Sequence, residues 1–208
     1  MSLRVKICGI TNLADAEAAI AAGADALGFI LYERSKRFIP MEKAIAIVEA
    51  LPPFVQTVAV TVDATREFSN LGWRKQLKTF NVAQLHGHET PVHVRAVGKY
   101  LPVIKALPAS RALAIPPENY EVTAFLLDTP SQEHGGTGQI FDWNLALTFQ
   151  KRTRKPLVLS GGLNPENVAK AIETVHPYAV DASSGVEVSP GKKDHAKLRD
   201  FIQICKRS

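Results

Sequence analysis

Cys8 ends the apolar run V-K-I-C, Gly9 turns the chain, and Thr11-Asn12 open a helical pattern. A thiol delivered by a strand to the mouth of a fold suits a nucleophile or a base. Most free cysteines are instead small buried apolar residues, and Cys8 taken alone supports either reading. Its ordinary pKa is near ~8.5, so work as a base needs a cation or a helix N-terminus beside it. Asp128 closes A-F-L-L-D, a run otherwise apolar. Apolar surroundings favour a neutral carboxyl and suit it to donating a proton. A helix cap or a salt bridge is the plainer use of an aspartate at such a place. A carboxylic acid and a thiolate on opposite sides of a small sugar move protons without metal or cofactor.

Two glycine turns add a second kind of chemistry. Ser160-Gly161-Gly162 and Ser183-Ser184-Gly185 each follow an apolar run. Glycine lets backbone N–H groups approach an anion, so the pair of turns points to phosphate, although either alone makes only a tight turn. Gln84, His86 and Asp181 also stand at the ends of apolar runs, and Arg34, Lys36 and Arg37 follow another. His86 and His88 share a turn, but no third ligand is near and no H-E-x-x-H pattern occurs, so neither metal nor cofactor is expected. His134, His176 and His195 read as surface residues.

These residues need a scaffold that brings run ends together. Apolar β-type runs at 3–8, 26–31, 57–62, 82–86, 103–107, 124–128, 156–160 and 179–182 alternate with helical patterns at 13–22, 41–51, 65–79, 91–100, 143–150, 164–175 and 194–205. Residues 108–120 hold three prolines and make a poor helix. Asn12 and Thr90 suit N-caps, Gly23 suits a helix stop, and Pro40 and Pro91 suit first turns. Runs without alternation belong to a buried parallel sheet. Eight β-α units give an α/β fold, a single-domain (β/α)8 TIM barrel over residues 1–208, with the site at the C-terminal strand ends. A doubly wound open sheet is the alternative. It would more often carry a first-turn G-x-G-x-x-G, which does not follow Gly9.

Composition narrows the partners. The 208 residues are 46% hydrophobic and 22% charged, with two cysteines and a net charge of +5. Two distant cysteines form no disulfide framework, and reduced thiols fit a cytoplasmic protein. No run approaches a membrane span and no signal-peptide core opens the chain, so no membrane partner is expected. The basic residues are scattered and not interleaved with aromatics, which argues against nucleic acid. An anionic, phosphorylated small molecule fits the charge.

Lys6-Ile7-Cys8-Gly9, Gln84-Leu85-His86-Gly87, Gly135-Gly136-Thr137-Gly138 with Phe141-Asp142-Trp143, Gly161-Gly162-Leu163, and Asp181 through Ser183-Ser184-Gly185-Val186-Glu187 with Pro190-Gly191 and Lys193-Asp194 occur in this order. From end to end the chain resembles the phosphoribosylanthranilate isomerase family of tryptophan biosynthesis. The resemblance implies an Amadori rearrangement of N-(5-phosphoribosyl)anthranilate to 1-(2-carboxyphenylamino)-1-deoxyribulose 5-phosphate. It implies Cys8 as general base, Asp128 as general acid and Arg37 as the holder of the anthranilate carboxylate. Gln84, His86, Gly161, Gly162, Asp181, Ser183, Ser184 and Gly185 become candidate substrate-binding residues. The loop with residues 135–138 is a candidate lid.

Members often carry proline where Glu33 and Lys36 stand and valine where Ala182 stands. These departures touch loop shape and packing and remove no proposed chemical group. No fused second barrel is seen. Family members occur as monomers and homodimers. Two rivals stay open. One is a dual-substrate aminoaldose isomerase, which typically pairs aspartates where Cys8 and Lys105-Ala106 stand. The other is a catalytically silent phosphate-binding barrel.

Overall fold

The computed structural model describes residues 3–129 and 141–207. Eight parallel strands close in chain order: β1 (Arg4–Cys8), β2 (Ala26–Ile30), β3 (Gln56–Thr61), β4 (Val82–Leu85), β5 (Val103–Pro108), β6 (Ala124–Asp128), β7 (Leu157–Leu159) and β8 (Ala179–Ala182). β8 pairs with β1, with Asp181 beside Lys6 and Ala182 beside Ile7. That closure leaves no sheet edge and rules out the doubly wound alternative. The helices are α1 (Leu13–Ala22), α2 (Met41–Ala50), α3 (Leu71–Leu77), α4 (Pro91–Gly98), α5 (Ala109–Ala112), α6 (Asn144–Gln150), α7 (Val168–Val175) and α8 (His195–Arg207).

Local chemistry sets most boundaries. Asn12 accepts a hydrogen bond from Asp15 N to start α1, and Gly23 ends it at φ 102°. Thr90 caps α4, with Pro91 in its first turn. Pro40 stands one place earlier than its type predicts, as the cap of α2. The helix expected over 65–79 is two pieces, a 3-10 turn at Glu67–Ser69 and then α3. Asn70 is extended between them and accepts from Trp73 N, so a cap splits the segment rather than Gly72. Asn164 accepts from Glu166 N and Asn167 N, which holds those residues in a turn and delays α7 to Val168. The proline-rich stretch yields one turn of α5 and a 3-10 turn at Pro117–Asn119. A small antiparallel pair, β9 (Glu187–Ser189) and β10 (Lys192–Lys193), follows β8 and was not expected.

Alternation along each strand sorts side chains to two faces. Ile7, Leu27, Phe29, Leu85, Phe125, Leu127, Leu159 and Val180 pack outward beneath the helices. There Phe125 meets Phe149 edge-on with ring centres 5.2 Å apart, and Phe29 lies 5.8 Å from Phe80. Each such side chain contributes about 1.5–3 kcal/mol by burial. The inward positions fill the barrel with Ala106, Ala124, Leu126, Val158 and Ala179 on one side and Val58 and Val60 on the other. Toward the C-terminal strand ends the inward residues turn polar: Lys6, Gln84, Asp128, Ser160 and Asp181, all buried.

Candidate active site

A cleft holding about 1060 Å³ of empty space, part of it open to solvent, lies over those strand ends. Cys8, Arg37, Gln84, His86, Asp128, Gly161, Gly162, Asp181, Ser183 and Ser184 all line it. Of the residues singled out from the sequence, Gly185 does not. It sits behind the turn, packed against the Leu163 carbonyl, where a side chain has no room. Arg34 and Lys36 line the cleft as well. Residues 135–138, read from the sequence as a lid, lie outside the described residues.

Cys8 is buried at the end of β1, two places beyond Lys6 on the same face. Burial pushes its thiol above the ordinary value, and Asp181 adds to this. Lys6 and Lys193 pull the other way without winning. The cations the sequence called for are therefore present, but desolvation outweighs them, and the thiol of the free protein keeps its proton at neutral pH. Lys6 itself pairs with Asp181 at 2.8 Å inside the barrel. Burial opposes its charge, yet Asp181 and Cys8 outweigh that cost and hold it protonated beyond the ordinary range. Burial pushes the Asp181 carboxyl up against the pull of Lys6, and its second oxygen faces Ser160 Oγ at 3.4 Å.

Asp128 ends β6 with both oxygens engaged. Thr129 N donates to Oδ1 at 2.7 Å, and His86 Nε2 lies 3.3 Å from Oδ2. Gln84 Nε2 stands 3.0 Å from His86 Nδ1. With the amide donating, Nδ1 accepts and the ring proton sits on Nε2, aimed at Asp128. Gln84 Oε1 is buried and has no partner among the described residues. Lys105 is not available for chemistry. Its ammonium donates to the carbonyls of Leu85, Gly87 and Ala106 and pairs with Glu89 at 2.9 Å, which fixes the loop carrying His86. His88 leaves the cleft and faces Asp63 at 3.4 Å.

On the other side of the mouth, Gly161 and Gly162 adopt φ of 89° and 65°, which turns the chain sharply after β7. Ser183 Oγ is buried without a partner among the described residues. Arg37 is buried and held by Glu187, with Nε 2.9 Å from both carboxylate oxygens and Nη2 2.7 Å from Oε2. Lys193 reaches the same carboxylate at 2.8 Å and donates to the Cys8 carbonyl at 2.6 Å. Lys6, Glu187 and Lys193 stand in the motifs that carry the family resemblance but were given no role from the sequence. For Lys6 the signal was there: a charge two places before Cys8 in an apolar strand shares its inward face.

Residues 5–204 match the family model described as N-(5'phosphoribosyl)anthranilate (PRA) isomerase. A relative from Thermotoga maritima, named N-(5'-phosphoribosyl)anthranilate isomerase, is 48% identical over 211 residues, covering 98% of each chain. One from Geobacter sp. (strain M21) with the same name is 46% identical over 205 residues, again covering 98% of each. The crystal structure of the Thermotoga maritima phosphoribosyl anthranilate isomerase superposes with a TM-score of 0.89 at 46% identity, covering 99% of this chain and 100% of that one. Another solved phosphoribosyl anthranilate isomerase, in complex with reduced 1-(o-carboxyphenylamino)-1-deoxyribulose 5-phosphate, gives a TM-score of 0.85 at 44% identity, with 99% and 100% covered. Barrel closure, the thiol and carboxyl in one cleft, and similarity over nearly the whole length agree: this chain belongs to the N-(5'-phosphoribosyl)anthranilate isomerase family.

Proposed function

We propose that the cleft binds N-(5-phosphoribosyl)anthranilate and isomerises it to 1-(2-carboxyphenylamino)-1-deoxyribulose 5-phosphate, the Amadori step of tryptophan biosynthesis. The observation that carries the residue roles is that the Cys8 thiol and the Asp128 carboxyl line one cleft together with Arg37 and the two glycine-containing turns. Asp128 gives a proton to the ribose ring oxygen, and the C1–O bond breaks as the nitrogen lone pair forms C=N. The thiolate form of Cys8, a small fraction at neutral pH, takes the C2 proton and becomes the thiol, and the electrons released form C1=C2 and neutralise the nitrogen. The 2-hydroxyl of this enolamine then loses its proton as C1 gains one, leaving the 2-ketone. The chemistry is general acid and base catalysis by the protein's own groups.

Binding follows from the same arrangement. Arg37 receives the anthranilate carboxylate as a charge-assisted pair. The turns at Gly161-Gly162 and Ser183-Ser184 receive the phosphate, with the buried Ser183 hydroxyl as a waiting donor. Gln84 Oε1, buried and unpartnered among the described residues, accepts a ribose hydroxyl. Anchoring both ends fixes the reacting carbons between acid and base. Gly185 supports the turn without touching substrate.

The chain works as one barrel domain, in the cytoplasm, where its two free cysteines stay reduced. Neither nucleic acid nor membrane is a partner in this reading. Among the described residues no helix is long and apolar enough to cross a membrane. A homodimer is favoured over a monomer. Phe54 is 99% exposed with φ 73°, at the N-terminal end of the barrel beside a groove that includes Val82, Ile104 and Tyr178. A strained and fully exposed phenylalanine at an apolar groove fits burial by a second copy.

The test is a coupled assay. Phosphoribosylanthranilate is generated from anthranilate and phosphoribosyl pyrophosphate, and its fluorescence decay is followed with the wild type, Cys8→Ala and Asp128→Asn. Fast decay in the wild type, with kcat/KM down about 10²–10⁴-fold in each folded variant, is the expected outcome. A folded wild type without activity would leave a silent phosphate-binding barrel. Activity surviving Cys8→Ala would discard the base.

A further inference from the structure

We propose that Glu187 is a positioning residue for substrate recognition: it clamps one edge of the Arg37 guanidinium and so aims the remaining edge at the substrate carboxylate. The proposal rests on the reading that Arg37 holds that carboxylate.

An arginine has a planar fork with more donors than one carboxylate can take. Here Nε and Nη2 are both spent on Glu187, within 2.9 Å, and Nη1 has no hydrogen-bond partner among the described residues. Arg37 lines the cleft and Glu187 does not. The clamped edge is therefore the buried one, and the free edge belongs to the cleft. Gly9 makes room for this pose, since a Cβ there would lie 2.7 Å from Arg37 Cδ.

Glu187 is itself held. Lys193 Nζ pairs with its Oε1 at 2.8 Å, and Gly191 N donates to the same oxygen at 3.3 Å. Lys193 Nζ also donates to the Cys8 carbonyl, and Lys193 N donates to Asp15 Oδ2 at 2.9 Å. The β9–β10 hairpin thus ties the arginine of the second loop to the strand end that carries Cys8. Two cations and one carboxylate leave this three-residue cluster with one positive charge to spare. A second carboxylate, from the ligand, completes it. Clamping also means that little side-chain entropy is lost when the ligand binds.

The experiment compares two substrates made from ribose 5-phosphate, one with anthranilate and one with aniline, which lacks the carboxylate. The readout is the ratio of their kcat/KM values in the wild type, Glu187→Gln, Arg37→Met and the double variant. Glu187→Gln is expected to raise KM for the carboxylated substrate about tenfold or more, with less change in kcat, and to cut the ratio by a similar factor. In the Arg37→Met background the same change is expected to leave the ratio alone, since Glu187 acts through Arg37. A purely structural role lowers both substrates alike, so an unchanged ratio in folded Glu187→Gln overturns the proposal while Arg37→Met still reads out the arginine. An unchanged ratio in Arg37→Met removes the underlying reading as well. Should Glu187→Gln fail to fold, adding Lys193→Met removes the cation left unpaired and carries the same expectation and the same overturning result.

Discussion

Lys6 Nζ lies 2.8 Å from Asp181 Oδ1, joining the first strand to the last inside the barrel, with both side chains 5% exposed. Both partners act on the Cys8 thiol, whose pKa Lys6 pulls down and Asp181 pushes up. A buried ion pair costs desolvation that its own attraction only partly offsets, but half a pair costs far more. Lys6→Met is expected to lower stability by about 3–5 kcal/mol in urea unfolding, because it strands a buried carboxylate. Lys6→Met combined with Asp181→Leu is expected to recover most of that loss. Equal stability of the single variant and the wild type would refute the account.

His86 bridges Gln84 and Asp128 at 3.0 and 3.3 Å. It orients the carboxyl whose proton the reaction needs. His86→Ala is expected to lower kcat by about tenfold to a hundredfold, less than Asp128→Asn. Gln84→Leu removes the bond to His86 Nδ1 and is expected to lower kcat by less than His86→Ala does. An unchanged kcat in folded His86→Ala would mean that His86 only packs.

The buried thiol gives a pH signature. Burial holds the Cys8 pKa above its ordinary value, so at neutral pH the thiolate is a small fraction that grows about tenfold per pH unit. Alkylation of Cys8 by iodoacetamide in the free protein is expected to rise with that slope through pH 7–9 and not to level off. A plateau below pH 8 would show a thiol lowered by its cations.

Cys205, in the buried face of α8, has its thiol pushed up to about 12 by burial. The unfolded chain releases this proton near the ordinary thiol pKa, whereas the folded protein keeps it. Between these values the native state binds more protons than the unfolded state, so stability falls as pH rises from about 9 toward 12. Cys205→Ala is expected to cost stability at neutral pH through lost packing but to show a shallower alkaline decline. Parallel pH–stability curves for the two proteins would contradict this.

Phe54 tests self-association. Phe54→Asp is expected to shift the mass measured by light scattering from dimer to monomer with the circular dichroism spectrum unchanged. A wild type that runs as a monomer at every concentration would exclude the homodimer.

Much of this architecture was legible along the chain because it is local. Asn12 and Gly23 bound α1 at the residues their types dictate, and Asp128 closes β6 where the apolar run ends. Eight apolar runs alternating with seven helical patterns determined the barrel, and strand-end position determined that Cys8, Asp128, Gln84 and His86 share one mouth. Strand parity even marked Lys6 as facing the same way as Cys8. Only tertiary structure decided which charges meet. Lys6 pairs with Asp181 because β8 closes onto β1 in one register, and Arg37 meets Glu187 because a hairpin of five strand residues folds back over the mouth. Parity fixes the face a side chain takes, but register and closure fix its neighbour, and neighbours far apart in sequence leave no periodic trace. The state of Cys8 was decided there too. The sequence supplied the cations that lower a thiol pKa, and the fold buried the thiol deeply enough that desolvation prevails over them.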